Sequence, residues 1–306
     1  MHTILGAGGV IGKELADELI RRGESVRLVS RRARPQAGAE SMAADLTQIH
    51  ATTEAVRGAR VVYLVAGLPY RTTVWRHEWP RVMRNVLEAC KRAGARLVFF
   101  DNVYAYGRVA GTMTEATPFN PCSRKGEVRA LIASDLLAEM KAGSLTALIA
   151  RAPDFYGPGG VASLANLFVL DRLAAGKKAL WPGRDDVPHS QIFTPDAGQA
   201  VALLGTGETG WGQTWHLPTA APALTGREFV AAAAQALGMP ARHARLGRIM
   251  MRLGGLFNAD ARESVEMLYQ NEEPYVFDST KFNTAFSFTP TTYAEGIRQT
   301  VAAKKS

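Results

Sequence analysis

The first half of the chain alternates short apolar runs with amphipathic segments, the rhythm of a parallel sheet wound through crossover helices. Strand-like runs occupy His2 to Ala7, Ser25 to Ser30, Arg60 to Gly67 and Ala95 to Asn102. None shows strict polar alternation, as expected of strands covered on both faces. Between the first two, Ile11, Leu15, Leu19 and Ile20 recur at helical spacing, and Gly23 ends that helix. Val82 to Ala93 reads as another amphipathic helix, closed by Gly94. A loop from Val103 to Pro121 follows, then a helix from about Ser123 to Ala142 and a strand from Leu145 to Ile149.

After Pro153 the rhythm loosens. Gly157-Pro158-Gly159-Gly160 marks a turn and Pro182 to Pro188 a polar loop. Gln191 to Thr194 reads as a strand, and Asp196 to Leu204 as a helix capped by Asp196. Beyond Pro218 the segments are mainly helical, with Thr225 opening one helix and Thr291 the last. The pattern predicts an α/β chain: a doubly wound parallel sheet with a smaller, mainly helical C-terminal lobe for substrate. The expected core runs from 1 to 154 and is completed by about 190–218. The lobe takes 155–189 and 219–306.

Gly6-Ala7-Gly8-Gly9-Val10-Ile11-Gly12 ends the first strand and opens the first helix, the context a dinucleotide-binding loop requires. Glycines there allow the tight turn, let the backbone approach a pyrophosphate and bring helix and strand close together. The amides of Val10, Ile11 and Gly12 would then face that anion at the positive end of the helix. A Rossmann core follows from this placement. The second strand ends in Ser30-Arg31-Arg32, where NAD-binding sites carry an acidic residue. Two guanidinium groups and a hydroxyl suit a 2′-phosphate, so NADP rather than NAD is the expected cofactor.

Composition narrows the picture. Of the 306 residues 47% are hydrophobic and 21% charged, which is ordinary for a globular chain. No apolar run approaches the ~18 residues of a membrane helix, and the first residues carry no signal-peptide pattern. Two cysteines, Cys90 and Cys122, make no disulfide framework, and a cytoplasmic setting is expected. The net charge is +8, with Arg21, Arg22, Arg27, Arg31, Arg32 and Arg34 close together. No stacking aromatics or helix-turn-helix accompany them, so nucleic acid is not an expected partner. The expected partners are a small-molecule substrate and a second copy in a homodimer. The six histidines show no metal-ligand spacing, and no metal is expected. Trp75, Trp79 and Met83 are assigned to packing, as are Met250, Met251, Leu253 and Leu256 within Arg248 to Phe257.

The Gly6, Gly9, Gly12 spacing resembles that of the extended short-chain dehydrogenase/reductases, the NAD(P)-dependent epimerase/dehydratase family. Asp45-Leu46 resembles that family's adenine contact and Ala66-Gly67 its cofactor-lining turn. Tyr104-Ala105-Tyr106-Gly107 is similar to its loop after the fifth strand. The stretch from Arg151 to Gly159 resembles its entry to the nicotinamide and substrate region, with Pro153 on the cofactor side and Asp154 on the substrate side. Asp278 to Lys281 and Phe288-Thr289-Pro290 are similar to its closing segment. The resemblance implies hydride transfer on a small organic or sugar-type substrate.

The catalytic pattern departs from the family's. There a Ser or Thr follows the fifth strand, and a Tyr stands four residues before a Lys on the next helix. Here Asn102 takes the first position, and none of the 8 tyrosines precedes a lysine by four. Lys125 and Arg129 share a helix face. Lys125 could anchor the ribose or donate a proton, with Arg129 lowering its pKa. Tyr104 or Tyr106 could supply a phenol, and Asn102 could donate to or accept from a substrate oxygen. Asp101 could serve as a base or anchor a loop. The rival reading, favoured by the missing Tyr, is a non-catalytic NADP-binding regulator.

Overall fold

Four consecutive buried residues, His2–Leu5, form the first strand, and a second run of four, Val61–Leu64, lies directly beside it. Strands so fully covered need helices on both faces. The computed structural model describes residues 1–257 and 259–304, without the side chains of 254–261. In chain order its strands are β1 (His2–Leu5), β2 (Val26–Ser30), β3 (Ala39–Ala43), β4 (Val61–Leu64), β5 (Arg96–Asn102), β6 (Thr112–Met113) and β7 (Ala147–Ala152). They continue with β8 (Asp154–Tyr156), β9 (Ala179–Pro182), β10 (Gln191–Phe193), β11 (Thr214–His216), β12 (His243–Leu246) and β13 (Val276–Phe277).

Seven of these form one parallel sheet in the order β11-β7-β5-β4-β1-β2-β3. The order reverses direction between β1 and β4, and ligands of open α/β sheets bind outside the strand ends at such a point. Helices α1 (Val10–Arg21), α2 (Ile49–Val56), α3 (Thr72–Ala93) and α4 (Arg124–Lys141) supply the crossovers. The strand β3 was not among the apolar runs read from the sequence. Its residues are half-buried or exposed, as befits a sheet edge.

Helix α3 begins ten residues before the expected Val82. The helix carries Pro80 internally and buries Trp75, Trp79 and Met83. Tertiary packing of that face outweighs the proline's lost hydrogen bond. Its end is as expected: Gly94 adopts a left-handed φ of 62° and returns its N–H to Cys90 and Lys91.

The chain forms two compact units. The first holds residues 1–105, 124–152 and 197–217, and the second 106–123, 153–196 and 218–306. The second contains the short pairs β10-β8, β12-β9 and β13-β6. Its core gathers Tyr156, Trp181, Phe193, Phe229, Tyr293 and Ile297.

Two expected caps are corrected. Thr225 does open its helix, with a full capping box to Glu228. The last helix is instead capped by Thr292, because Thr291 gives its N–H and hydroxyl to the Asp196 carboxylate. Asp196 lies inside the helix Thr194–Thr206 and is used on Thr291 rather than as that helix's cap. A third correction concerns the stretch assigned to packing. Ile249, Met250 and Leu253 are 75%, 51% and 56% exposed, so they point outward; the side chain of Leu256 lies outside the described residues. Periodicity identifies an apolar face but not what that face meets. Among the described residues no helix is long and apolar enough to cross a membrane.

Candidate functional site

Gly6 leaves β1 with φ 102°, a left-handed value, and a Cβ there would stand 2.3 Å from the Ala66 Cα. The turns after β1 and β4 therefore touch backbone to backbone, which only glycine permits. A Cβ on Gly12 would lie 2.8 Å from both the Ala7 Cα and the Gly6 oxygen. Gly9 differs from both. Its Cβ would meet nothing nearer than the Gly6 oxygen at 3.8 Å, so its α-carbon borders open space.

Gly9 is also the N-cap of α1, offers no side-chain cap, and no acidic residue follows in the first turn. The amides of Val10, Ile11 and Gly12 are the helix's first donors, which the helix itself cannot satisfy. An uncapped, acid-free helix start of 12 residues beside a backbone cradle suits a pyrophosphate. The residues present thus fit a dinucleotide. Gly8 approaches Ser30, where a Cβ would lie 3.8 Å away, so the loop reaches the end of β2. There the Ser30 hydroxyl donates to the Arg32 carbonyl at 2.5 Å, and Arg31 and Arg32 are exposed. At the end of β4, Ala66 is half-buried and Gly67 is exposed with open space around its α-carbon.

Asp45 follows β3 and accepts the N–H and hydroxyl of Thr47 at 2.9 and 2.8 Å. The Leu46 carbonyl takes the Asn85 amide at 2.9 Å. These bonds fix the loop expected to meet an adenine.

Lys125 lies in the first turn of α4 and is fully buried. Its ammonium donates to the Thr72 hydroxyl at 3.2 Å and stands 4.6 Å from the centre of the Tyr70 ring. Tyr70 meets Trp75 edge-on at 5.6 Å, and Trp75 stacks with Tyr104 at 6.3 Å. The lysine is thus held against the Tyr70 ring and the Thr72 hydroxyl, and a chain of aromatic contacts runs from Tyr70 through Trp75 to Tyr104. Tyr70 and Thr72 carry no local signal linking them to Lys125, more than fifty residues away, and sequence reasoning missed them.

One turn further on, Arg129 points elsewhere. Its Nε and Nη2 donate to Asp101 Oδ1 at 2.8 and 2.5 Å. Arg151 gives Nη2 to the other oxygen, Oδ2, at 2.9 Å. All three residues are buried, and the Arg129 guanidinium lies 4.7 Å from the Trp79 ring centre and 4.9 Å from that of Phe99. Arg129 is therefore committed to a charge lock between α4, β5 and β7, and Asp101 is its centre. This is a positioning arrangement. Next to it, the Asn102 side-chain oxygen accepts the Tyr104 N–H at 3.0 Å, so its amide nitrogen remains the side chain's donor.

The second unit contains the other expected residues. Tyr106 is 1% exposed and packs at a tilt on Phe119, ring centres 6.1 Å apart. Pro153 is buried and joins β7 to β8. Asp154 opens β8, and His189 Nε2 lies 2.9 Å from its Oδ2. His189 drew no attention in the sequence, where an isolated histidine carries no spacing signal.

Comparison with known proteins agrees with this geometry. The family model for the NAD dependent epimerase/dehydratase family matches residues 2–201. No curated protein sequence matches the chain. Among solved structures, one similar fold is the UDP-glucose 4-epimerase of Thermus thermophilus in complex with NAD. It has 21% identity and a TM-score of 0.80, covering 100% of this chain and 99% of that one. A dTDP-glucose 4,6-dehydratase double mutant, DesIV from Streptomyces venezuelae with NAD and DAU bound, has 18% identity and a TM-score of 0.82, covering 100% and 97%. MoeE5 in complex with UDP-glucose and NAD has 20% identity and a TM-score of 0.78, covering 99% and 98%. At such identities the likeness is one of fold. The family match spans most of the chain, includes the whole glycine loop, and settles the grouping: this chain belongs to the NAD-dependent epimerase/dehydratase family of enzymes.

Proposed function

We propose that the chain is an NADP-dependent oxidoreductase, or an epimerase or dehydratase using transient hydride transfer, on a small organic or sugar-type substrate. The observation that carries this reading is the pairing of an open Gly9 at an uncapped helix start with Ser30-Arg31-Arg32 at the end of β2. When bound, the nicotinamide supplies or accepts the hydride, so the protein needs only to orient the substrate and manage a proton.

Each residue has a task in this reading. The amides of Val10, Ile11 and Gly12 hold the pyrophosphate, and Arg31 and Arg32 pair with the 2′-phosphate. Asp45, Leu46, Ala66 and Gly67 border the adenosine half, and Pro153 borders the nicotinamide half. Lys125 holds ribose hydroxyls as a point charge, a task suited to an ammonium already fixed by Tyr70 and Thr72. Asn102 donates its amide N–H to the substrate oxygen, the role a serine or threonine hydroxyl otherwise fills.

The neighbouring structures above were solved with NAD, so cofactor choice is the decisive measurement. Calorimetric titration at fixed salt is expected to show tighter binding of NADPH than NADH. Replacing Arg31 and Arg32 together by Ala should weaken NADPH about tenfold or more and leave NADH nearly unchanged. Equal affinities, or tighter NADH, would reject the NADP assignment.

A further inference from the structure

The helix Arg248–Phe257 turns its large apolar side chains outward. Ile249, Met250 and Leu253 are each more than half exposed. Leu253 stands four residues after Ile249 and three after Met250, so the three are neighbours on one face of the helix. Met251 falls on the opposite side and is half-buried. The half-buried side of this helix is the narrow one, and its broader apolar face looks to solvent. An apolar patch kept exposed in this way, with a polar rim, marks contact with another body.

The rim is basic. Arg252 lies three residues after Ile249 and four after Arg248, so the two arginines form a row beside the apolar face. From Phe229 to Ala259 the sequence has no acidic residue but four arginines, Arg242, Arg245, Arg248 and Arg252, and all four are exposed. Arg245 pairs with Asp185, a carboxylate that also serves Arg227. Arg248 pairs with Glu272, which also serves Arg108. Among the described residues Arg242 and Arg252 form no ion pair, so their charges stay open to a partner.

We infer that this helix docks the chain on an anionic lipid bilayer, lying in the plane of the surface. Ile249, Met250 and Leu253 enter the acyl boundary, and the arginines meet lipid phosphates. A helix of the membrane interface pairs an apolar face with adjoining cations, and its affinity adds buried apolar area to attraction for anionic headgroups. Arginine suits the border, because its aliphatic stem lies along apolar surface while its guanidinium reaches a phosphate with two parallel hydrogen bonds. The net charge of +8 draws the whole chain the same way. A second copy of the chain fits this surface less well. A two-fold contact sets one patch against itself, and here it would bring arginine rows together with no carboxylate between them. A polymer of phosphates would satisfy the arginines but leave the three apolar side chains in water. The contact is one of surface only, and it is independent of the cofactor reading.

The test is co-sedimentation of the full chain with vesicles of phosphatidylcholine alone, and with vesicles in which a third of the lipid is phosphatidylglycerol. Binding to the anionic vesicles should be at least about tenfold tighter, and high salt should release most of the protein. Ile249→Ser combined with Leu253→Ser changes no charge and should weaken binding at least about tenfold. Arg242→Ser combined with Arg252→Ser should weaken it by about fivefold per arginine. Arg57→Ser combined with Arg92→Ser removes the same charge from exposed positions of the first unit and should cost no more than about twofold. The substituted side chains are exposed, and melting temperatures confirm that each variant folds. The inference is overturned by equal affinity for the two kinds of vesicle, by binding to neither, or by parent-like binding of the serine pair at 249 and 253. An equal loss in the Arg57 and Arg92 pair would reduce the effect to net charge and overturn it too. So would a vesicle-free dimer that the serine pair at 249 and 253 dissolves, because the face would then belong to a second copy.

Discussion

The Asn102 side-chain oxygen closes onto the Tyr104 N–H, which turns an amide with two chemical faces into a donor alone. The loop geometry and the side chain's chemistry are thereby coupled. Asn102→Asp keeps the acceptor for Tyr104 but removes the donor, so the loop should stay folded while turnover falls about 10²-fold, the cost of a lost oxyanion-type donor. Asn102→Ser restores a donor and should recover most of that loss. Steady-state kinetics on the best substrate, with melting temperature as the folding control, decides it. Equal turnover in Asn102→Asp and the parent would remove Asn102 from the chemistry.

The glycine loop separates binding from folding. A side chain on Gly9 enters open space at an ordinary φ of −90°, so Gly9→Val should leave the ligand-free melting temperature within about 2 °C. Cofactor affinity should fall at least tenfold, because the branched side chain occupies the pyrophosphate's approach. Gly6→Ala should behave in the opposite sense. Its Cβ collides with the Ala66 backbone at a left-handed φ, and the protein should lose about 2 kcal/mol or more of stability. Calorimetry and thermal melts on both variants test the contrast.

Asp101 is the hinge of the charge lock. Asp101→Asn leaves Arg129 and Arg151 buried without their carboxylate, and breaking such an arrangement costs about 3–5 kcal/mol. Replacing Arg129 by Met removes one charge with it and retains contact with Trp79 and Phe99, so it should cost less. Urea unfolding curves would show the ranking. A milder effect for Asp101→Asn than for Arg129→Met would contradict the lock.

Acid should weaken the protein through two groups in different windows. Burial, the largest cause, together with the Arg60 charge lowers the His2 pKa to about 4, although Glu24 opposes them. The neutral ring accepts from Arg60 at Nε2 and contacts the Tyr63 hydroxyl through Nδ1. Because the folded value lies below the unfolded one of about 6.5, this contribution is full above pH 6.5. It is lost as pH falls toward 4, by about 2–3 kcal/mol. His2→Gln should flatten that slope. Asp185 is buried, which pushes its pKa up, but hydrogen bonds from Arg245 and His243 and the Arg245 and Arg227 charges outweigh burial and hold it at about 2. Its contribution of at most about 2 kcal/mol is present above pH 4 and lost below it, and Asp185→Asn should remove that part. Chemical denaturation at stepped pH resolves the two.

The parallel sheet and the glycine loop were legible because their signals are local. Apolar runs such as Val61 to Leu64 announce strands covered on both faces, and Gly6 to Gly12 sits at a strand-to-helix junction whatever the rest of the chain does. The groups around Lys125 were not legible, since Tyr70 and Thr72 reach it from another part of the chain. The same holds for Arg151 on Asp101 and His189 on Asp154, pairings of residues 50 and 35 positions apart. Arg129 shows the limit of helical spacing: it shares a face with Lys125, but a carboxylate on β5 claims its guanidinium. The early start of α3 at Thr72 was missed in the same way, since what holds its first turns is the burial of Trp75 and Trp79.

The strand β11 closes the outer edge of the large sheet beside β7, although residues 153–196 of the second unit intervene in the chain. On a ribosome β7 is therefore made well before the strand that covers its edge. All six of its residues end up buried and five are apolar, Arg151 being the exception, so the waiting edge is mostly apolar as well as unpaired, a template for another nascent chain. Long-range closure of this kind is slow, so the edge stays open for part of refolding from denaturant as well. Refolding yield should thus fall steeply with protein concentration. Slowing translation across residues 153–196 should lengthen the vulnerable interval, whereas slowing it after β11 has emerged should do no such harm.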